Sequence, residues 1–326
     1  MDDGRNDVLS TLAPLIQVRP LVEQHCLFGP GWSAPHAREP LGMAPFHIVT
    51  AGSAQVLLPD LERILHLAAG DVLLLPHGTR HTVRTAGTVA APTTRLNHRD
   101  NGVVEVKWTS DLPEAVSAVP SDGSATPLAL ELICGRFAFE RVADNPLLAL
   151  LPEAVHLKAA DQRESRRLAR LVETIRDEVA LPRPGGRAIA TDLARALFTM
   201  ILRGHLEGHG AGTEAAGLLA RPATARVVAA LVRDPARAWT LDELADQAHL
   251  SRATLVRAFR AAGAPAPLAF LAQVRMTLAV RHLVAEGLSL AETAARVGYE
   301  SESAFSRAFK RHYHAAPGDY RDAARA

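Results

Sequence analysis

Apolar residues change their spacing twice along the 326-residue chain. Between residues 42 and 108 they come in short runs, "FHIVTAG", "AQVLLP", "RILHLAAG", "DVLLLPHG", "HTVRT" and "GVVEVKW", each closed by Gly, Pro or polar residues. Strands this short and turns this frequent predict a sandwich or barrel. A further run, "LALELICGRFAFE" at 128–140, reads as a strand returning to it. From 161 to 207 the spacing becomes three and four, in "DQRESRRLARLVETIRDEVA" and "RAIATDLARALFTMILRGHLE", and predicts two amphipathic helices split by the breaker "LPRPGG". Gly-rich "GHGAGTEAAG" at 208–217 predicts a linker, and everything after it reads as helix. The expected class is α+β, with a β-barrel over 1–150, a helical connector and linker over 151–217 and an all-α domain over 218–326.

The helical rear repeats itself. "SESAFSRAFKRHYHAAPGDYR" at 301–321 has a blurred copy in "SRATLVRAFRAAGAPAPLAFL" at 251–271. At 100° per residue Ala304, Phe305, Ala308, Phe309 and His312 share one side of the later helix, and Ser303, Ser306, Arg307 and Lys310 the other. The earlier copy puts Leu255, Ala258, Phe259 and Ala262 inward and Ala253, Val256, Arg257 and Arg260 outward. Short and basic side chains on the outward face suit a helix pressed against a surface. Before each copy stands another short amphipathic helix, "LDELADQA" or "LAETAARV", and a tight break, where Gly298 supplies the positive φ of a sharp turn. This is helix-turn-helix architecture twice over, joined by the apolar "PLAFLAQVRMTLAVRHLVAEG". Two such units on one chain can lay their second helices in successive major grooves, about 34 Å apart. The plainer alternative is a helical bundle whose arginines only solvate its surface.

Composition narrows the class. At 48% hydrophobic and 22% charged residues the chain has ordinary globular usage, enough for two domains. The acidic opening "MDDGRNDVLSTLAPLI" lacks the basic start of a leader, and nowhere do eighteen apolar residues run together, so a cytoplasmic protein without a membrane partner is expected. Two cysteines fit a reducing compartment. The net charge of +1 is divided unevenly, −5 over residues 1–160, +1 over 161–217 and +5 over 218–326, which points the rear toward a polyanion.

With these motifs in view, residues 222–322 resemble the DNA-binding domain of the arabinose-regulator (AraC/XylS) family of bacterial transcription factors, through "LADQAHLSRATLVRAFR" and "AARVGYESESAFSRAFKRHYHAAPGDYR". The resemblance implies base reading by Ala253, Val256 and Arg257 in the first unit and by Glu302, Ser303, Ser306 and Arg307 in the second. Glu302 could instead serve the helix dipole. Arg260, Lys310 and Arg311 are better placed for phosphates, which position a protein without specifying sequence. Where the family commonly has Gly five residues after each Phe, this chain has Ala264 and His314; Gly263 and His314 are the residues expected to make those turns.

The front resembles the cupin family. "GDVLLLPHGTRHTVRT" follows its second motif through Gly70, Pro76, Gly78 and His81, with Thr85 in place of the usual Asn. The first motif's His-x-His and Glu are reduced to His47, with His36 upstream. His36, His47 and His81 are therefore candidates for a divalent metal (zinc, iron, copper or nickel) or for hydrogen bonding in a barrel mouth. "HCLFGPGWSAPH" and "LICGRF" strengthen a likeness to cupin-type sensor domains of a subgroup that includes reactive-chlorine-responsive regulators. Cys26, beside His25, is the redox candidate, and Cys134 reads as core, though both thiols are kept in view.

These readings converge on a transcription regulator that binds promoter DNA, answers a small-molecule, metal or oxidant signal, and has RNA polymerase and a second copy of itself as expected partners. A metal-dependent cupin enzyme fused to a DNA-binding domain is a different class, disfavoured by the incomplete metal motif. A constitutive DNA-binding protein with a vestigial barrel is the third.

Overall fold

A computed structural model describes residues 18–85, 95–110, 112, 128–139, 151–159, 165–181, 183–207, 218 and 221–325. The linker expected at 208–217 lies outside them. The chain forms two compact units, one holding the strands and the two middle helices, the other the C-terminal helices.

In the first unit, β1 (Val18–Phe28), β2 (Ser33–His36), β3 (Met43–Leu58), β4 (Arg63–Ala68), β5 (Val72–Leu74), β6 (His81–Thr85), β7 (Leu96–Asp100), β8 (Glu105–Thr109), β9 (Leu130–Phe139) and β10 (Val155–Leu157) curl into a half-barrel. The strand order is β10-β5-β3-β9-β1-β8-β7, with β2, β4 and β6 forming the other wall. Long β3 belongs to both walls. Its first half pairs with β5 and β9, its second with β4 and β6. The change falls at a register shift between Val49 and Ala51, followed by Gly52 at φ 76°, where a Cβ would overlap the Ala129 carbonyl. Burial follows this change of walls. Ala44–Val49 is buried on both faces, whereas beyond Gly52 burial alternates, because the outer face there meets solvent.

The inner face is filled by Phe28 and Trp32, stacked 3.5 Å apart, with Val49, Val56, Leu58, Leu67, Leu73, Val83, Leu130 and Leu132. The middle helices, α1 (Ser165–Ala180) and α2 (Gly186–Glu207), pack on the sheet: Phe198 of α2 lies 5.0 Å from Phe137 and 5.8 Å from Phe139.

In the second unit run α3 (Pro222–Arg233), α4 (Leu241–Ala248), α5 (Arg252–Ala261), α6 (Pro267–Val280, continued by a π turn over Arg281–Ala285), α7 (Leu290–Arg296), α8 (Glu302–Tyr313) and α9 (Pro317–Arg325). Thr240 with Glu243 and Ser289 with Glu292 form capping boxes at the starts of α4 and α7. Ser251 and Ser301 cap α5 and α8. Within this unit, helix α6 joins the two helix-turn-helix pairs: its Phe270 meets Phe259 at 6.0 Å, and its Met276, Ala279 and Val280 pack with Phe305 and Phe309. Pro267–Ala285 is the one described helix long and apolar enough to cross a membrane, and its buried apolar residues include those that face these two cores.

The turns take the expected form. Gly298 has φ 78° between α7 and α8, and His249, at φ 54°, takes its place between α4 and α5. Gly263 (φ 71°) and His314 (φ 57°) turn the chain after the second helices. A Cβ on Gly298 would also overlap the Ala236 backbone. Gly298→Ala should therefore lower stability by about 1–3 kcal/mol, while His249→Gly should be neutral or stabilising. Urea denaturation of the full chain checks this, and an unshifted midpoint for Gly298→Ala contradicts the turn assignment.

Candidate DNA-reading helices and a histidine–thiol cluster

The two second helices have the same burial at every one of their first ten positions. From Ser251 to Arg260 and from Ser301 to Lys310 the sequence is three exposed, one intermediate, one buried, one intermediate, one exposed, one intermediate, one buried, one exposed. Leu255 and Phe259 are the anchors of α5, Phe305 and Phe309 those of α8, each 0% exposed. The exposed pairs are Arg252 with Glu302, Ala253 with Ser303, Arg257 with Arg307 and Arg260 with Lys310; Val256 and Ser306 are the half-buried pair between them. Arg311 is exposed as well. Ala253, Arg257, Arg260, Ser303, Arg307, Lys310 and Arg311 thus lie away from the buried anchors of their helices, half-buried Val256 and Ser306 flank those anchors, and Glu302, exposed in the first turn, stands in line with them. Arg252, which the sequence left unassigned, opens α5 and forms an ion pair with Asp242 of α4. Arg257 leans on the Thr254 hydroxyl at 3.3 Å, and Thr254 in turn meets the cap Ser251 at 2.8 Å.

The barrel candidates also come together. His36 on β2 pairs in register with His81 on β6, and His47 on β3 with Cys134 on β9. His81 Nδ1 lies 2.8 Å from the Thr79 carbonyl oxygen, which can only accept, so Nδ1 carries the proton and Nε2 is bare. His47 Nε2 lies 2.8 Å from that bare nitrogen and donates to it. Its Nδ1 is left to accept from the Cys134 thiol, 3.2 Å away. The result is a directed chain of three hydrogen bonds, Cys134 to His47 to His81 to Thr79. The histidines are neutral in it. Burial depresses His47 well below the usual range, helped by His81 and His36, and lowers His81 to about 4 against the pull of the Thr79 bond.

As arranged, the histidines do not form a coordination sphere. Tetrahedral zinc ligands at 2.0–2.1 Å hold their nitrogens about 3.3 Å apart. The His47 and His81 nitrogens are closer and share a proton, and His36 stacks flat on His81 at 6° and 4.6 Å. Among the described residues no group of three or more His, Cys, Asp or Glu is set to hold a metal ion.

Cys26 does not stand as an accessible thiol, whereas Cys134 packs against the inner core, as its sequence context suggests. Cys26 is 3% exposed and belongs to the inner core, while Cys134 is only partly buried and touches a base. The Cys26 thiol beside Cys134, and then burial, push the Cys134 pKa well up. His25 does not activate Cys26, because neighbours in a strand face opposite sides. It turns outward to Glu131, 1% exposed, at 2.8 Å, and Arg176 of α1 reaches both oxygens of that carboxylate at 2.8 and 3.0 Å. This outer triad had no signal in the sequence beyond a charged residue in an apolar strand.

A cupin family model matches residues 7–207, and a helix-turn-helix domain model matches residues 244–323. A putative AraC-like transcription regulator of Streptomyces lividans is 33% identical over 321 residues, spanning 97% of this chain and 98% of its own. The chain belongs to the AraC-like family of transcription regulators. This family member is also similar to the RCS-specific HTH-type transcriptional activator RclR of Escherichia coli (strain K12), 28% identical over 320 residues and 98% of each chain. The DNA-binding domain of AdpA, solved with a target DNA, matches 32% of this chain and 93% of its own at 34% identity and a TM-score of 0.30. The AraC-family chain is thus a DNA-binding transcription regulator with a cupin domain at its front.

The outer triad of this regulator makes a pH prediction. Burial alone would raise the Glu131 pKa, but the hydrogen bonds from His25 and Arg176 outweigh it and hold the carboxyl at about 2, below the ordinary 4.5. A carboxyl depressed on folding adds stability above its unfolded pKa and loses it as pH falls through the folded one. The first unit should lose roughly 3 kcal/mol between pH 4.5 and 2 through this group. Glu131→Gln should be less stable at neutral pH and flatter over that window, as read by chemical denaturation at a series of pH values; an acid limb identical to wild type contradicts the pairing.

Proposed function

We propose that the rear domain, 218–326, reads promoter DNA with α5 and α8 and that the front, 1–150 with the connector 151–217, senses an oxidant through its thiol pair. For the DNA-reading role the supporting observation is the matched burial of the two second helices, which leaves the same five positions free to face a groove. Ala253, Val256 and Arg257, with Glu302, Ser303, Ser306 and Arg307, are the base readers. Arg260, Lys310 and Arg311 hold phosphates. The regulator works in the cytoplasm, as a non-enzyme, with RNA polymerase as its partner in transcription and α2 available to a second copy.

For the signal, the thiol chain is the support. The Cys134 thiol is held protonated, and a protonated thiol reacts slowly with mild oxidants, so the site selects strong ones. The likeness of the front to sensor domains of reactive-chlorine-responsive regulators gives the chemical class: a hypohalous acid. Two thiols and one hypohalous acid give a disulfide, a hydrogen halide and water, the two electrons leaving sulfur for the halogen. Cys134 reacts first, its proton leaving with the oxidant's oxygen as water and the halogen passing to sulfur, and the Cys26 thiol displaces that halogen as hydrogen halide. The two cysteines stand diagonally across β1 and β9, since Cys26 faces Leu132 and Cys134 faces Gln24. Bridging them shifts these strands against each other, and the same strands carry His25 and Glu131, which hold Arg176 of α1. That is the route by which a bridge reaches the connector.

Stoichiometric hypochlorous acid should join Cys26 to Cys134 in the purified protein, seen by peptide mass mapping, and change promoter output in cells, whereas the same dose of hydrogen peroxide should do neither. A Cys134→Ser regulator that still answers hypochlorous acid would falsify the thiol assignment.

A further inference from the structure

The matched burial of α5 and α8 isolates what differs between them. Position by position the anchors and the basic residues agree, Leu255 with Phe305, Phe259 with Phe309, Arg257 with Arg307 and Arg260 with Lys310. Apart from Thr254 against Ala304, the chemistry changes at three exposed or half-buried positions near the start of the helix. There α5 offers Arg252, Ala253 and Val256, and α8 offers Glu302, Ser303 and Ser306. We infer that the two units read chemically different boxes: α5 a box marked by thymine methyls, and α8 a box marked by hydrogen-bonding base edges that include a cytosine amino group. This rests on the DNA-reading role proposed above for the two helices.

Each of these side chains can recognise only certain edges in a major groove. Ala253 and Val256 have no donor or acceptor, so against a base edge they gain only by covering an apolar group, and the thymine C5-methyl is the apolar group the major groove presents. A cytosine N4 or adenine N6 amino group under them would lose its water without a replacement bond. Ser303 and Ser306 place hydroxyls at the same two positions, able to donate or accept, and Ser303 already shares a hydrogen bond of 3.1 Å with the cap Ser301. Glu302 is an acceptor with a negative charge. It is repelled by phosphates and acceptor edges and satisfied by the cytosine amino group. Its counterpart Arg252 is a cation that pairs with Asp242 and suits a phosphate or a guanine.

The arginines common to both helices differ in support. Thr254 holds Arg257 through its hydroxyl, whereas the corresponding position beside Arg307 is Ala304, which has none. Both can take the guanine O6 and N7 edge, but Arg257 arrives with its orientation set. The site is therefore asymmetric along the DNA, which lets a single chain define both the position and the direction of the promoter it sits on.

The test leaves the protein unchanged and alters the DNA. The full-length regulator selects a consensus from a random duplex library, and that duplex is then made with deoxyuridine in place of thymidine, box by box. Removing methyls from the box protected by α5 should weaken binding about fourfold per contacted methyl, and from the other box by less than twofold. Glu302→Gln should relax the choice of cytosine in the second box and leave the first as it was, with Val256→Ser reducing the deoxyuridine effect in the first. Equal losses in both boxes, or none in the first, overturn the inference while leaving the DNA-reading role intact. A library that yields no consensus overturns that role itself.

Discussion

Each proposed reading face in this regulator depends on two large apolar side chains four residues apart on the back of the same short helix. Leu255 with Phe259, and Phe305 with Phe309, are fully buried and fix both the depth and the rotation of α5 and α8. A helix of ten or twelve residues is marginal alone, so without those anchors neither face would persist. The ring contacts around Phe309, with Tyr313 at 4.6 Å and Tyr320 at 5.5 Å, extend the second anchor to α9. Helix α6 packs against both sets, with Phe270 on the first and Met276, Ala279 and Val280 on the second.

The half-barrel solves a different problem. Its inner wall is closed by apolar packing, leaving the polar chemistry to two sites on the same strands. On one side of β9 Cys134 leads through His47 and His81 to the Thr79 carbonyl. On the other Glu131 binds His25 and Arg176. Strand alternation makes this division: residues an odd number apart on β9 face opposite ways, so 131 and 134 do, and β1 repeats the arrangement with His25 and Cys26. The thiols and the hold on α1 thus share a backbone.

Much of the rear was legible because its signals are local. The repeat, the positive φ at Gly298 and the turns at Gly263 and His314 each depend on a few neighbouring residues. The capping boxes were written just as locally, in "TLDE" and "SLAE", and went unread. The front was harder. Strand β1 contains Pro20 and a register shift between Val22 and Gln24, and pairs in parallel with β8 some eighty residues away, so its apolar pattern is broken. Strand β7, "LNHRD", is a polar sheet edge without alternation. The roles of the two cysteines could not be read at all from spacing. Which of them meets a base depends on β3 lying beside β9, a long-range pairing that leaves no mark in either segment.

The central claim is that one chain reads two successive grooves with two anchored helices. Hydroxyl-radical footprinting of the full-length regulator on its selected duplex, at a concentration where a single chain is bound, tests it directly. Two protected patches are expected on one face of the DNA, one helical turn or about 10 base pairs apart, over a sequence with no palindrome. A single protected groove, or two patches related by two-fold symmetry and lost with the second copy, would contradict it.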